Sequence, residues 1–255
     1  MLTVKPLPAF QDNYIWVMQQ DRPDAVAIVD PGEAQPVIDY LERHGLGLEA
    51  ILITHHHQDH TGGVETLKER YGPRVIGPDN PSISGIDEVV GEGDHFRLMG
   101  RRFDVMATPG HTLDHITYLS TGTPSLLFCA DTLFCGGCGR LFEGTPAQMF
   151  QALSRFAELD DDTLVLGAHE YTLANLKFAC AAEPDNALRD RLLEACQRAR
   201  ELDRPTLPSN MGQEKAINPF LRTHLESVQR TAAGQGEAGD AASTFATLRA
   251  WKDRF

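Results

Sequence analysis

Residues 50–60 read AILITHHHQDH, an apolar run that ends in a cluster of imidazole and carboxylate groups. His55 and His57 stand two positions apart and can converge on one ion, whereas Asp59 and His60 can turn toward a second ion. Imidazole and carboxylate are usual ligands of zinc, iron and manganese. The segment therefore predicts a strand followed by a metal-binding loop.

The same layout, an apolar run followed by a candidate ligand, recurs further along the chain. The three further cases are 103–107 before His111, 125–129 before Asp131 and 163–166 before His169. Strands that end at one edge of a sheet hold such side chains on a rigid frame. We expect the His and Asp residues at these strand ends to form one metal site.

Short apolar runs alternate with turn residues up to about residue 166, which indicates a mixed α and β region. The predicted strands are 14–18, 25–29, 50–54, 74–77, 103–107, 116–119, 125–129 and 163–166. The predicted helices of this region are 35–44, 63–71 and 146–158. After about residue 171 the helical pattern dominates, and we predict further helices at 173–182, 187–202 and 243–252. The segment 232–242, rich in Gly and Ala, predicts a flexible connection.

The bulk composition limits the function classes. The formal net charge is −13, from 23 Lys and Arg against 36 Asp and Glu, which disfavours nucleic acid and anionic membranes as partners. Five cysteines are an odd number, which argues against a secreted disulfide framework. The first residues contain no apolar stretch of signal-peptide length. We expect a globular, cytoplasmic protein and a monomer.

The motifs in combination resemble a known family. Thr-His-x-His-x-Asp-His at 54–60, Pro-Gly-His-Thr at 109–112, Ala-Asp-Thr at 130–132 and His169 are similar to the metallo-β-lactamase superfamily. Further motifs narrow the resemblance to the hydroxyacylglutathione hydrolases, or glyoxalase II, and these motifs are 137–144, 169–172, 175–178, 218–222 and 249–253. The resemblance covers essentially the whole chain.

The resemblance implies an α+β fold in two domains. Residues 1–170 would form a metallo-β-lactamase-like αββα sandwich that binds metal and carries out catalysis. Residues 171–255 would form a smaller, all-helical domain that binds glutathione.

The resemblance also implies how two divalent cations are held. The implied ligands are His55, His57 and His111 for the first ion, Asp59, His60 and His169 for the second, and Asp131 bridging both. Zinc is the first expectation, with iron or manganese as alternatives. A hydroxide between the ions would attack the thioester of S-lactoylglutathione or a related acyl-glutathione, with Asp59 and Asp131 as catalytic carboxylates. The products would be D-lactate and glutathione, in the second step of methylglyoxal detoxification.

The expected substrate is a small molecule, the glutathione thioester. The residues expected to bind it match the family's glutathione-binding set. These residues are Arg140, Phe142, Tyr171, Asn175, Arg249 and Lys252. The spacing of Arg249 and Lys252 by itself indicates a solvated helix face. The assignment of these two residues to a substrate carboxylate comes only from the resemblance. Many relatives have Lys and Tyr where Arg140 and Phe142 stand, so we expect one hydroxyl contact to the tripeptide to be missing.

Several alternatives share this pattern. A persulfide dioxygenase has a similar ligand set, and β-lactam or lactone hydrolases share the fold. A nuclease is disfavoured by the net charge, and a purely structural metal site is usually closed by Cys and His. Cys135 and Cys138 have Cys-x-x-Cys spacing, for which we favour a Gly-rich substrate loop over a redox or structural zinc role.

Overall fold

The computed structural model describes residues 2–21 and 24–255. The chain folds as two compact units, one made of residues 1–107 and 114–130 and the other of residues 108–113 and 131–255. The division expected at residue 170 from the resemblance stays a prediction. Among the described residues, no helix is both long enough and apolar enough to cross a membrane.

The first unit contains a six-stranded sheet whose strand order follows the chain. Its strands are β1 (Thr3–Ala9), β2 (Asn13–Gln19), β3 (Ala25–Val29), β4 (Gly47–Leu52), β5 (Arg74–Gly77) and β6 (Glu88–Val89). The first three strands are antiparallel, and β3 to β6 are parallel. Parallel neighbours need a crossover connection. Helix α1 (Ala34–His44) supplies one between β3 and β4, and α3 (Val64–Tyr71) supplies one between β4 and β5.

Four antiparallel strands of the first unit belong to a second sheet. They are β7 (His95–Leu98), β8 (Arg101–Ala107), β9 (Ile116–Ser120) and β10 (Leu126–Ala130). Tyr118 of β9 joins this sheet to the first, because its hydroxyl donates to Ile53 O at 2.6 Å and to Ile76 O at 3.3 Å. Between the strands and the helices lies an apolar core that includes Ile28 and Leu41.

The second unit is mainly helical. Its helices are α4 (Pro146–Ala157), α5 (Thr172–Ala182), α6 (Ala187–Glu201), α7 (Met211–Ile217), α8 (Glu226–Ala233) and α9 (Ala241–Lys252). Four short strands accompany them as two antiparallel pairs, β11 (Leu133–Phe134) with β12 (Gly137–Cys138) and β13 (Leu164–Gly167) with β14 (Ser209–Asn210). A capping box between Thr145 and Gln148 starts α4, whose first residue is a proline.

All eight predicted strands and all six predicted helices are present, with ends that shift by a few residues. The expected connection at 232–242 joins α8 to α9. The prediction missed β1, which contains Pro6 and Pro8, because two prolines lower the strand signal and are tolerated only at a sheet edge. It also missed β7, α7 and α8, whose apolar patterns are short.

Loss of the Tyr118 hydroxyl tests the link between the two sheets of the first unit. We expect Tyr118→Phe to lower the free energy of unfolding by about 1–2 kcal/mol, because a buried hydrogen bond is lost. Urea denaturation measures the change. The control is Tyr40→Phe, which removes a partly exposed bond to Gln19 and should cost less than about 0.5 kcal/mol. Equal losses in the two variants would contradict the role given to Tyr118.

Candidate metal centre and substrate pocket

The first unit brings four predicted ligands together after β4. The chain leaves this strand through His55 and His57 and enters the short helix α2 (Gln58–Thr61), which carries Asp59 and His60. The imidazole of His55 lies 4.8 Å from that of His57 and 4.1 Å from that of His60, measured between ring centroids. Nε2 of His60 lies 3.4 Å from Oδ2 of Asp59. These side chains form the first ligand cluster.

Asp30, a residue that the sequence argument missed, holds the first ligand cluster in place. Its buried carboxylate accepts hydrogen bonds from Thr54 N at 2.8 Å, from Thr54 Oγ1 at 2.7 Å and from His60 Nδ1 at 3.0 Å. Because the Thr54 hydroxyl donates to Asp30, its oxygen is left to accept from His55 Nδ1, which is 3.0 Å away. Both imidazoles therefore carry their proton on Nδ1 and turn Nε2 toward a cation.

A signal for Asp30 was present in the sequence. Asp30 directly follows the apolar run of β3, in the layout that identified the other candidates. Strands β3 and β4 are parallel neighbours with Val29 opposite Leu52, so the residues after each strand leave the sheet side by side. The backbone of Asp30 has φ of +54°, a conformation that Asp tolerates better than most residues.

The second unit brings His111, Asp131 and His169 together as a second ligand cluster. The two oxygens of the Asp131 carboxylate face different imidazoles, with Oδ2 at 3.2 Å from His111 Nε2 and Oδ1 at 3.3 Å from His169 Nε2. His111 Nδ1 lies 2.7 Å from the carbonyl oxygen of Arg140, which fixes the same tautomer as in the first ligand cluster.

The spacing of these atoms fits a divalent cation. Two ligand atoms that each lie about 2.0–2.2 Å from a tetrahedral ion are about 3.4 Å apart. The N···O separations in the two clusters, 3.2, 3.3 and 3.4 Å, match that value. Both clusters contain only imidazole and carboxylate donors, which are usual ligands of zinc, iron and manganese. Which residues share which ion stays a prediction.

The remaining histidines near the first ligand cluster have other contacts. His56 lies between two predicted ligands, and its Nδ1 is 3.0 Å from Asp114 Oδ1. Asn80 donates to the other oxygen of Asp114 at 2.8 Å. Asp114 thus anchors His56, the residue that lies between two predicted ligands. His115 is fully buried and stacks on His55 with 4.8 Å between ring centroids.

The second unit also contains a cavity of about 290 Å³. Five of the six residues predicted to bind substrate line it, namely Arg140, Tyr171, Asn175, Arg249 and Lys252. The Tyr171 ring stacks on that of His169 with 4.6 Å between centroids, so the cavity adjoins the second ligand cluster. The sixth residue, Phe142, is 61% exposed and packs edge-on against the His111 ring at 5.2 Å.

Burial sets the electrostatics of this cavity. Desolvation lowers the pKa of Lys252 to about 8, while the neighbouring Cys138 acts in the opposite direction. The Lys252 ammonium donates to Asn175 Oδ1 and lies about 6 Å from the ring centroids of Phe178 and Phe220. Burial also raises the pKa of the Cys138 thiol, which lowers its thiolate fraction and argues against a redox role.

Comparison with known proteins defines the class and then the family. Residues 10–169 match the model described as the metallo-beta-lactamase superfamily, and residues 170–255 match the model described as the hydroxyacylglutathione hydrolase C-terminus. The first match covers more than half of the chain, so fold and site define a metallo-β-lactamase-type protein. Proteins named hydroxyacylglutathione hydrolase from Chromohalobacter salexigens and Photobacterium profundum are 65% and 50% identical, each over the full length of both chains. The chain belongs to the hydroxyacylglutathione hydrolase family.

Solved structures confirm the predicted fold. ETHE1 from Myxococcus xanthus is similar with a TM-score of 0.67 and 23% identity, over 98% of this chain and 90% of that one. TTHA1623 in a di-iron-bound form is similar with a TM-score of 0.59 and 23% identity, over 86% of this chain and all of that one. The expected metallo-β-lactamase-like domain followed by a helical C-terminal region is therefore correct.

The role of Asp30 can be tested by removing its carboxylate. We expect Asp30→Ala to cost about 2–4 kcal/mol of unfolding free energy in metal-free protein, because several buried donors lose their acceptor. Zinc affinity should fall by about 10- to 100-fold, since His60 loses its orienting partner. Urea denaturation and equilibrium dialysis measure the two effects. The control is Asp104→Ala, which removes a surface pair with Arg102 and should change neither quantity. Normal zinc affinity in Asp30→Ala would refute the assignment.

Proposed function

We propose that this chain hydrolyses the thioester bond of S-lactoylglutathione and related acyl-glutathiones. The products are D-lactate and glutathione, and the reaction is the second step of methylglyoxal detoxification. One observation carries this assignment, which is the 65% identity over both full chains to a protein named hydroxyacylglutathione hydrolase. The same observation favours this reaction over a persulfide dioxygenase or another hydrolase on this fold, because the similar solved structures share only about a fifth of their residues with this chain.

We propose that seven side chains hold two divalent cations, zinc first, with iron or manganese as alternatives. The proposed ligands are His55, His57 and His111, then Asp59, His60 and His169, with Asp131 shared between the ions. The N···O separations near 3.3 Å within each ligand cluster support the proposal. When bound, such a pair of cations lowers the pKa of water toward 7 and polarises a carbonyl oxygen.

The side chains around these ligands have separate tasks in the proposed reaction. Asp30 and the Arg140 carbonyl keep the imidazoles of His60 and His111 in one tautomer and one orientation. Asn13 donates to Asp59 Oδ2 at 3.0 Å and fixes that carboxylate. We assign Asp59 and Asp131 the catalytic task of accepting hydrogen bonds from the attacking water.

The cavity of the second unit is the proposed glutathione site. Glutathione carries two carboxylates, and Arg140, Arg249 and Lys252 present cationic groups to the cavity that can pair with them. Tyr171 and Asn175 add polar groups to its wall. We assign Phe142 to the acyl end of the substrate, because its exposed ring packs against that of His111. When the bond between the acyl carbon and sulfur breaks, the sulfur leaves as the glutathione thiolate.

The remaining partner assignments rest on composition. We propose a cytoplasmic monomer that binds neither nucleic acid nor membranes, because the net charge of −13 repels both. The five cysteines are all free, as expected in a reducing compartment.

Substrate class can be tested with two thioesters of the same acyl group. Metal-loaded protein is supplied with S-lactoylglutathione or with lactoyl-N-acetylcysteamine, and thiol release is followed. We expect kcat/KM to be about 100-fold higher for the glutathione thioester, because only that substrate can use the cationic cavity. Absence of thiol release from both thioesters would refute thioester hydrolysis. Equal rates would refute the glutathione site.

The shared ligand provides a second test. We expect Asp131→Ala to lower kcat by about 10³-fold or more and to reduce bound zinc, because one carboxylate serves both ions. Steady-state kinetics and metal analysis on the same sample measure the two effects. The exposed Asp160→Ala serves as the control and should behave as the wild type. Full activity with undiminished zinc would show that the ligand assignment is wrong.

The lowered pKa of Lys252, about 8, predicts a pH dependence of substrate binding. Below this pKa the ammonium is charged and can pair with a carboxylate, and the attraction is lost as pH rises through it. We expect KM for S-lactoylglutathione to rise several-fold between pH 7 and pH 9.5, after correction for spontaneous hydrolysis. Lys252→Arg keeps its charge over this range and should show a flat KM. An equally steep rise in Lys252→Arg would exclude Lys252 as the cause.

A further inference from the structure

One wall of the cavity in the second unit is a β-hairpin. It consists of β11, β12 and the turn between them, and we call residues 133–138 the wall hairpin. Phe134 and Cys138 of the wall hairpin line the cavity. The Phe134 ring packs edge-on against the Tyr171 ring, with 5.4 Å between centroids. One residue proposed to bind glutathione is thus in contact with the wall hairpin.

Asn175, another residue proposed to bind glutathione, is held by the same hairpin. Its Nδ2 donates to the carbonyl oxygen of Cys135 at 3.1 Å. A Cβ on Gly137 would lie 2.6 Å from the Asn175 side chain, so these two residues pack closely. Because Asn175 Nδ2 is bound to the hairpin, its amide oxygen is left to accept from the Lys252 ammonium. A displacement of the wall hairpin would therefore shift polar groups of the cavity.

A buried carboxylate of α7 holds the turn of the wall hairpin. Glu214 is fully buried, and its Oε2 accepts from Gly136 N at 2.9 Å and from Asn218 Nδ2 at 3.1 Å. Asn218 Nδ2 also lies 3.0 Å from the carbonyl oxygen of Gly137 and 3.3 Å from that of Phe134. The carboxylate thus binds the turn directly and, through Asn218, both strands of the hairpin.

The burial of Glu214 is costly in free energy, which makes its hydrogen bonds important. Desolvation raises the pKa of the Glu214 carboxyl, and the hydrogen bonds from Gly136 and Asn218 act in the opposite direction. An oxygen at this depth that lost its donors, or a donor that lost this oxygen, would have to move to find a new partner. The position of the wall hairpin therefore depends on the reach of this side chain.

We propose that Glu214 is a positioning residue for the glutathione site, which acts through the wall hairpin on Asn175 and Tyr171. The proposal rests on the proposed function, because it takes the cavity to be the site of the glutathione moiety. Since Glu214 is fully buried, it acts on the substrate only through residues that line the cavity. Withdrawal of its oxygen should therefore raise KM for glutathione thioesters and leave kcat nearly unchanged.

Two variants of Glu214 separate the reach of the acceptor from its charge. Glu214→Asp keeps the carboxylate but shortens the side chain by one methylene, so the oxygen withdraws from Gly136. Glu214→Gln removes the charge but keeps the length and one acceptor oxygen. Glu194→Asp, at an exposed position of α6, is the control for shortening a glutamate.

Affinity for S-methylglutathione, a thioether without a scissile thioester bond, is measured by isothermal titration calorimetry. Values of kcat and KM are measured with S-lactoylglutathione and with lactoyl-N-acetylcysteamine. We expect Glu214→Asp to weaken S-methylglutathione binding and to raise KM for S-lactoylglutathione, each about 10-fold, with kcat within about twofold of wild type. Its kcat/KM for lactoyl-N-acetylcysteamine should stay within about twofold, because that thioester lacks the glutathione moiety. Glu214→Gln should stay within about threefold of wild type throughout, and Glu194→Asp should match it.

A variant of the hairpin itself keeps the test available if Glu214→Asp is unfolded by circular dichroism. Gly136→Ala leaves Glu214 intact but displaces the turn, because its Cβ would lie 2.8 Å from Leu176 Cδ2 and φ of +67° is strained for Ala. It should weaken S-methylglutathione binding at least about threefold. Wild-type affinity in Gly136→Ala would overturn the proposal.

Three results with folded Glu214→Asp would also overturn it. These are wild-type affinity for S-methylglutathione, an equal loss in Glu214→Gln, and an equal loss of kcat/KM with both thioesters, which indicates general damage. If wild-type protein bound S-methylglutathione but released no thiol from S-lactoylglutathione, the proposed reaction would fail while affinity would still decide the task of Glu214. If wild-type protein did not bind S-methylglutathione, the glutathione site would be refuted and this proposal with it.

Discussion

The hydrogen bond from histidine Nδ1 to a fixed oxygen is the interaction on which both ligand clusters depend. A neutral imidazole can bind a cation only through the nitrogen that carries no proton. The hydrogen-bond acceptor next to the other nitrogen decides which of the two nitrogens is protonated. His60 is fixed by the Asp30 carboxylate and His111 by the Arg140 carbonyl. Each oxygen is itself held by the fold, by a parallel strand pair in one unit and, in the other, by the backbone of residues 138–140, to which Arg249 donates hydrogen bonds. The geometry of the proposed ligands is thus set by residues that need not touch metal.

Much of the fold and of the candidate site could be predicted because the signals are local. Buried strands such as β4 are short apolar runs, and candidate ligands that directly follow such a run can be recognised from the sequence. Asp30 also follows an apolar run, but its task as an acceptor is not visible there. That task comes from the pairing of β3 with β4, which places Asp30 beside Thr54, 24 positions further along the chain. The edge strand β1 was not predicted, because its two prolines are more typical of a loop than of a strand.

The substrate pocket shows a different limit of sequence reasoning. Arg249 and Lys252 look equivalent as basic residues three apart on a helix, and the family resemblance treats them alike. Their surroundings differ. The Arg249 guanidinium donates to a backbone carbonyl and to Asp253, whereas the Lys252 ammonium donates to Asn175. Burial also lowers the pKa of Lys252 to about 8, a shift that depends on the rings and helices packed around it. Neither property can be read from residue spacing.

We propose that the two oxygens of the Asp131 carboxylate serve two different cations. The most direct measurement is anomalous diffraction at the zinc edge from crystals of the zinc-loaded protein. We expect two peaks, one about 2.0–2.2 Å from each oxygen of Asp131. A single peak, or two peaks that both lie away from this carboxylate, would contradict the claim.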